Sequence, residues 1–252
     1  MNIVLAFKVV PDDQDVAVSG SGELDFSKAK NTVSTYDLNA LEAAVQLAHS
    51  VEGSSVVAMT VGDSSVDDSK VKKNVLARGV DELYMTADDN LAKADAHATA
   101  GALADLLGKV GAFDLVICGD GSADNYAQQV DVQLAARLGL PVVNAVTKMR
   151  ALEGALEVER TLEDSVEIIK IPLPCVISVS PDVAVPRIPG MKDILAAGKK
   201  PMNVQGCEGV YAPSIELVSL KAPEQADRKL EVLEASADGA VEWFAAALKA
   251  AF

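Results

Sequence analysis

The sequence predicts an α/β fold: a doubly wound, mostly parallel sheet of the adenine-nucleotide-binding, Rossmann-like kind, with an antiparallel hairpin addition and a C-terminal arm. Three observations predict it. Short apolar, β-branched runs alternate with helix-period runs from Ile3 to about residue 144. The runs Ile3 to Val10 and Leu115 to Cys118 are apolar almost throughout, as befits strands covered on both faces. After Asn144 the alternation gives way to extended segments separated by turns.

Taken in order, Ile3 to Val10 reads as a central strand interrupted by Lys8 and ended by Pro11-Asp12-Asp13. Asp12 to Thr35 is polar; Val16-Ala17-Val18 and Leu24-Asp25-Phe26 flank glycines and read as a small hairpin over the sheet edge. Lys8 either snorkels to solvent or faces a ligand crevice and an acidic neighbour. Ser34 or Thr35 is placed to cap a helix over Leu38 to Ser50, with Tyr36 and Asp37 at its start. Ser54 to Val61 is the next strand, followed by a helix to Arg78 with Gly79 behind it, a short strand Glu82 to Met85 and a long Ala-rich helix Leu91 to Val110.

Leu115 to Val130 organises the rest. A strand (Leu115 to Cys118) meets a small-residue turn (Gly119 to Asp124) and then a helix-like run, Asn125 to Leu138, with Val130, Leu134 and Leu138 four apart. In an open parallel sheet this corner lies at the carboxyl end of a strand, where ligands bind. Gly119 and Gly121 permit close backbone approach, and the first amides of a helix favour a phosphate. Ser122, Asp124, Asn125, Gln128 and Gln129 add polar partners. The residues alone leave open an ordinary capped turn.

Pro141-Val142-Val143 reads as a short fifth parallel strand. Ala145 to Leu152, Leu156 to Thr161 and Ser165 to Ile171 then form an antiparallel meander, and Cys175 to Val179 is another buried strand. Pro181 to Met202 is a loop with its own apolar knob, a short amphipathic helix carrying Met191, Ile194 and Leu195. It either folds onto the core or docks a partner. Residues 205–236 lack periodicity and read as an arm; Asp238 to Phe252 is a final amphipathic helix with Trp243 and Phe244.

Composition narrows the function. The net charge is −15, which argues against non-specific nucleic-acid binding. Cys118, Cys175 and Cys207 are widely spaced, in no metal or disulfide pattern, and His49 and His97 are far apart, so no metal site is expected. No stretch is long enough to span a bilayer, and the chain opens directly on a strand, so a cytoplasmic location is expected. There is no GxxxxGK[ST], no GxGxxG after the first strand, no GxSxG and no nucleophile beside a histidine, so no catalytic residue is assigned.

Several segments together resemble the beta subunit of electron transfer flavoproteins, closest to the Fix-type, carnitine-linked branch. They are Ile3-Val4-Leu5-Ala6-Phe7-Lys8-Val9-Val10-Pro11-Asp12, Leu24 to Ala29, Tyr36 to Ala43, Gly119 to Val130, Val158-Glu159-Arg160, Ile171-Pro172-Leu173-Pro174 and Met191-Lys192. The resemblance runs from residue 1 to about 204. It implies a nucleotide-binding domain over 1–204, including a docking loop over 183–202, and an arm over 205–252 that packs on the alpha subunit. It implies a heterodimer whose alpha subunit carries FAD, with AMP or a second FAD held in this subunit. Cofactor-binding positions carried over are Ala6, Ser34, Thr35, Tyr36, Asp37, Val61, Gly119, Asp120, Gly121, Ser122, Ala123, Asp124, Asn125, Tyr126, Ala127, Gln128, Gln129 and Val130. Pro189, Met191, Ile194 and Leu195 would meet the partner dehydrogenase, expected to be of the acyl-CoA type. Further partners implied are a quinone oxidoreductase and, in electron-bifurcating relatives, a ferredoxin-like protein. The chain is then an electron carrier and not an enzyme, unless a second FAD gives it an NADH-oxidising role. A different reading from the same residues is a free-standing adenine-nucleotide-binding module of the stress-protein type, which has no use for the Met191 loop or the arm.

Overall fold

The computed structural model describes residues 1–224 and 230–251. Residues 225–229 and Phe252, part of the expected arm and terminal helix, lie outside the described residues. The elements in chain order are β1 (Asn2–Ala6), β2 (Val9–Pro11), β3 (Ala17–Val18), β4 (Leu24–Asp25), β5 (Asn31–Val33), α1 (Thr35–Ser50), β6 (Ser55–Gly62), α2 (Ser69–Leu76), β7 (Glu82–Ala87), α3 (Ala96–Val110) and β8 (Leu115–Gly119). They continue as α4 (Val130–Leu138), β9 (Val142–Leu152), β10 (Ala155–Thr161), β11 (Val166–Pro172), β12 (Cys175–Val179), α5 (Met191–Ala197), β13 (Met202–Gln205) and α6 (Ala240–Ala251).

A 9-stranded sheet runs in the order β11-β10-β9-β12-β8-β1-β6-β7-β13. It is parallel from β9 to β13 and antiparallel across β9, β10 and β11, so the expected doubly wound sheet with a hairpin addition is present. The chain builds outward from β1 through β6 and β7, then α3 carries it back to lay β8 on the other side of β1. The order therefore reverses between β1 and β8, and the crevice at their carboxyl ends is the topological switch point.

Alternate residues of each strand serve opposite faces. Leu5, Ile117 and Ile177 pack with Leu41 and Val45 of α1 and Val71 and Val75 of α2. Val4, Val116 and Val176 pack with Leu103 and Leu107 of α3 and Leu134 of α4. Each such side chain, taken wholly out of water, contributes roughly 1.5–3 kcal/mol, and this fixes the strand ends that form the crevice.

Several expected elements are redrawn. The single strand expected over Ile3 to Val10 is two: β1 stops at Ala6, and Val9–Pro11 leaves the sheet to pair antiparallel with Asn31–Val33. The reason is that the Lys8 N–H donates to a side chain, Asp37 Oδ2, at 2.8 Å. The hairpin expected at Val18 and Leu24 is present as β3 and β4. The long helix begins at Ala96 and not at Leu91, because Asp95 accepts from the Ala98 N–H at 2.8 Å and sets the start there. The expected short strand at Pro141–Val143 and the following extended segment are one strand, β9, which passes through Ala145 at φ 56°. The helix expected from Asn125 begins only at Val130: Tyr126 (φ 45°) and Gln128 (φ 55°) are left-handed and cannot continue a helix. β13, at the edge beside β7, is only 4 residues long and was not expected.

Candidate nucleotide corner and apolar loop

Asp37 sits in the first turn of α1 and is buried. Its carboxylate spans the switch point, Oδ2 accepting from the Lys8 N–H at 2.8 Å and Oδ1 from the Gly119 N–H at 3.0 Å. One side chain thus ties the end of β1 to the end of β8. Burial pushes its carboxyl up to about 7, against the opposing pull of those two N–H groups and of the Lys8 charge. Gly119 is required here: a Cβ would lie 2.7 Å from Asp37 Oδ1 and 3.0 Å from the Tyr36 carbonyl carbon.

Ser34, the residue before α1, makes no side-chain cap to its own helix. Its Oγ accepts instead from the Ala123 N–H at 3.2 Å, so the expected cap is a tether that draws the Gly119 loop over the crevice. Across the mouth, Lys8 Nζ meets Asp124 Oδ2 at 2.5 Å, and Ser122 Oγ donates to Asp124 Oδ1 at 2.5 Å. Burial would raise the Asp124 carboxyl, but the bonds from Lys8 and Ser122 outweigh it and hold it below its ordinary value. Of the two roles open to Lys8, pairing with an acidic neighbour at the crevice is the one adopted.

The aromatic side of the corner is built by Tyr36 and Tyr126, whose ring centroids are 5.0 Å apart. The Tyr126 ring lies directly over Gly121, where a Cβ would come within 2.2 Å of it. Tyr126 Oη donates to Asp120 Oδ2 at 3.1 Å. The other oxygen, Asp120 Oδ1, is buried with no partner among the described residues, and burial raises this carboxyl.

Of the expected cofactor positions, the fold brings together Ala6, Ser34, Thr35, Tyr36, Asp37, Gly119, Asp120, Gly121, Ser122, Ala123, Asp124 and Tyr126. Val61 is on β6, two residues beyond Met59, which registers with Ala6. Asn125, Ala127, Gln128 and Gln129 are exposed on the rim. Val130 opens α4, so the first amides of that helix follow the rim instead of meeting the turn directly as expected. Sequence reasoning missed the layer beneath: Asp131 and Ser178 are buried and Ser178 Oγ donates to Asp131 Oδ2 at 2.5 Å. Beside them Cys118 is buried, and burial followed by the Asp131 and Asp37 charges pushes its thiol well above its ordinary value, so it is inert as a nucleophile.

The second site is the loop after β12. Met191 and Leu195 of α5 are 73% and 69% exposed, Ile194 is 41% exposed, and Ile188 ahead of them is 93% exposed. Pro189 is half-buried at the loop's turn into the helix, and the Gly190 N–H donates to Asp193 Oδ2 at 3.0 Å to start it. The apolar face of α5 therefore points outward. Only Ala197 of that helix is buried.

A family model described as electron transfer flavoprotein domain matches residues 23–205. The match takes in the Ser34–Asp37 segment, the Gly119 loop and the exposed α5 loop.

Proposed function

The chain belongs to the electron transfer flavoprotein family, and from that premise we propose that it is the beta subunit of a heterodimer, of the Fix-type branch. In this reading the corner between β1 and β8 holds an adenine nucleotide, AMP or FAD, and the α5 loop docks a dehydrogenase of the acyl-CoA type. Electrons pass through the FAD of the alpha subunit to a quinone-linked or other acceptor. The flavin supplies the redox chemistry, and this chain supplies binding, orientation and docking.

The observation that carries the reading is the unpartnered, buried Asp120 Oδ1, on a carboxylate held by Tyr126, whose ring pairs with that of Tyr36. A carboxylate oxygen accepts from hydroxyl or amino groups, and ribose and adenine present both. Tyr36 and Tyr126 offer flat surface to a purine, and the Lys8 ammonium would meet a phosphate by exchanging it for Asp124. Asp37 and Ser34 would hold the two sides of the crevice at fixed separation. No acid–base step is assigned to any of these groups. The exposed α5 loop and the arm, where Leu217, Val218, Trp243 and Phe244 are exposed or nearly so, favour a subunit with partners over a free-standing nucleotide module.

The test is the nucleotide content of the protein purified with whatever flavoprotein accompanies it, by denaturing release and chromatography. One FAD and one AMP per heterodimer is the result for a simple carrier. Two FAD and no AMP would give the same corner a working flavin and make NADH-oxidising bifurcation the function. A flavin-free monomer would overturn the reading in favour of the stress-type module.

A further inference from the structure

The segment 181–200 exposes its apolar residues and yet is pinned at both ends by polar contacts. At its start, Asn39 Nδ2 of α1 donates to the carbonyls of Pro181 at 3.0 Å and Ala184 at 2.8 Å. Three residues on, on the same helix face, the buried Glu42 accepts from Arg187: Oε2 from Nε at 2.6 Å and from the backbone N–H at 3.3 Å, Oε1 from Nη2 at 3.0 Å. Gln46 Nε2 adds a bond to Glu42 Oε1 at 2.8 Å, and Arg78 donates to the Arg187 carbonyl. At the far end, Lys200 Nζ donates to the Leu76 carbonyl at 2.9 Å. Between these pins stand Ile188, Met191 and Leu195, all turned to solvent.

Burial would raise the Glu42 carboxyl, but the bonds from Arg187 and Gln46 overcome it and hold the group below its ordinary value. A two-pronged guanidinium–carboxylate contact fixes direction as well as distance. The contact is paid out on a loop whose own side chains bury little, so its effect is to fix shape and not to build core.

We infer that Asn39 and Glu42 are positioning residues for docking: they hold the apolar loop in its binding shape before a partner arrives. Ordering a loop on association weakens binding, and a loop already ordered escapes that loss. The first turn of α1 carries Asp37, which ties β1 to β8, so one helix sets both the nucleotide corner and the loop. The inference rests on the docking role proposed above.

The experiment uses the full chain with its co-purifying flavoprotein partner, as wild type, Glu42→Gln and Asn39→Ala. Two quantities are read: the rate of trypsin cleavage after Lys192, by mass spectrometry, and the kinetics of electron transfer from a medium-chain acyl-CoA dehydrogenase. Removing a hydrogen bond to a charged group is worth about tenfold in an equilibrium of this kind. The expected result is cleavage about tenfold faster in Glu42→Gln, with KM for the dehydrogenase raised to a similar degree and kcat unchanged. Asn39→Ala, which removes no charge, keeps the test valid if Glu42→Gln folds poorly, and moves both quantities in the same direction. Unchanged cleavage, or faster cleavage with unchanged KM, would overturn the inference. A wild-type protein that accepts no electrons from the dehydrogenase would overturn the docking role, while the cleavage rates would still decide whether α1 orders the loop.

Discussion

The corner at the switch point and the segments beyond β12 solve opposite problems. At the corner the chain turns polar groups inward and, Asp120 Oδ1 apart, satisfies them with its own atoms: Asp37 takes two backbone N–H groups, Ser34 takes a third, and Lys8 meets Asp124. Beyond β12 the chain turns apolar groups outward, from Ile188 and Met191 to Val218 and Phe244. Isolated exposed apolar residues are ordinary on a protein surface; those from Ile188 to Leu195 stand together on a loop held by Asn39 and Glu42, as the proposed docking role requires. A change at the corner should therefore cost stability first. A change on the loop should cost an interaction and leave stability alone.

The largest expected effect is at Asp37. Asp37→Ala leaves the N–H groups of Lys8 and Gly119 buried without an acceptor, each at roughly 1–3 kcal/mol, so the variant should lose about 3 kcal/mol. Urea unfolding at pH 6 measures it, and a loss within experimental error would mean that β1 and β8 do not depend on this tie. Gly119→Ala comes next. Its new Cβ would meet Asp37 Oδ1 and the Tyr36 backbone, and overpacking of this kind costs about 2 kcal/mol.

Asp37 also sharpens the comparison through pH. Its folded-state carboxyl is raised from the ordinary 3.8 to about 7, chiefly by burial. A raised value means the folded state holds the proton more tightly than the unfolded chain does. That contribution to stability is therefore full below about pH 3.8 and is lost as pH rises through 7. The difference in unfolding free energy between wild type and Asp37→Asn, measured from pH 4 to 8, should shift against the wild type as pH rises. A flat difference would mean that Asp37 ionises normally in the folded protein.

How much of this was legible in the sequence follows from the range of the interactions. The strands β8 and β12 and the covering of the sheet on both faces were readable because they rest on local apolar runs such as Leu115 to Cys118. The corner's position was readable because Gly119 and Gly121 mark the carboxyl end of a buried parallel strand, where crevices of such sheets lie. The contacts that make it a corner were not, since Asp37 reaches partners 29 and 82 residues away in sequence. The start of α4 was misplaced because the left-handed Tyr126 and Gln128 are not glycines and give no local sign of a break. Asn39 and Glu42 left only a faint sign, two polar residues three apart on a helix that also carries Asp37, Gln46 and His49. Its meaning depended on Arg187, 145 residues further on.

The smallest effect on stability, and the clearest separation of the two regions, is expected at Met191. Its side chain is 73% exposed and lines no core, so Met191→Ala should change unfolding free energy by less than about 0.5 kcal/mol. The same change removes an apolar anchor from the outward face of α5. Anchors of this kind carry a disproportionate share of binding energy, on the order of 2 kcal/mol when truncated. Electron transfer from an acyl-CoA dehydrogenase should therefore fall by more than tenfold at low partner concentration, with the nucleotide content unchanged. Asp37→Ala should show the reverse, a destabilised protein whose surviving folded fraction still docks. If Met191→Ala instead lowered the melting temperature, the loop would be part of the core after all. If it left both stability and transfer untouched, the docking surface would have to be sought on the arm, around Trp243 and Phe244.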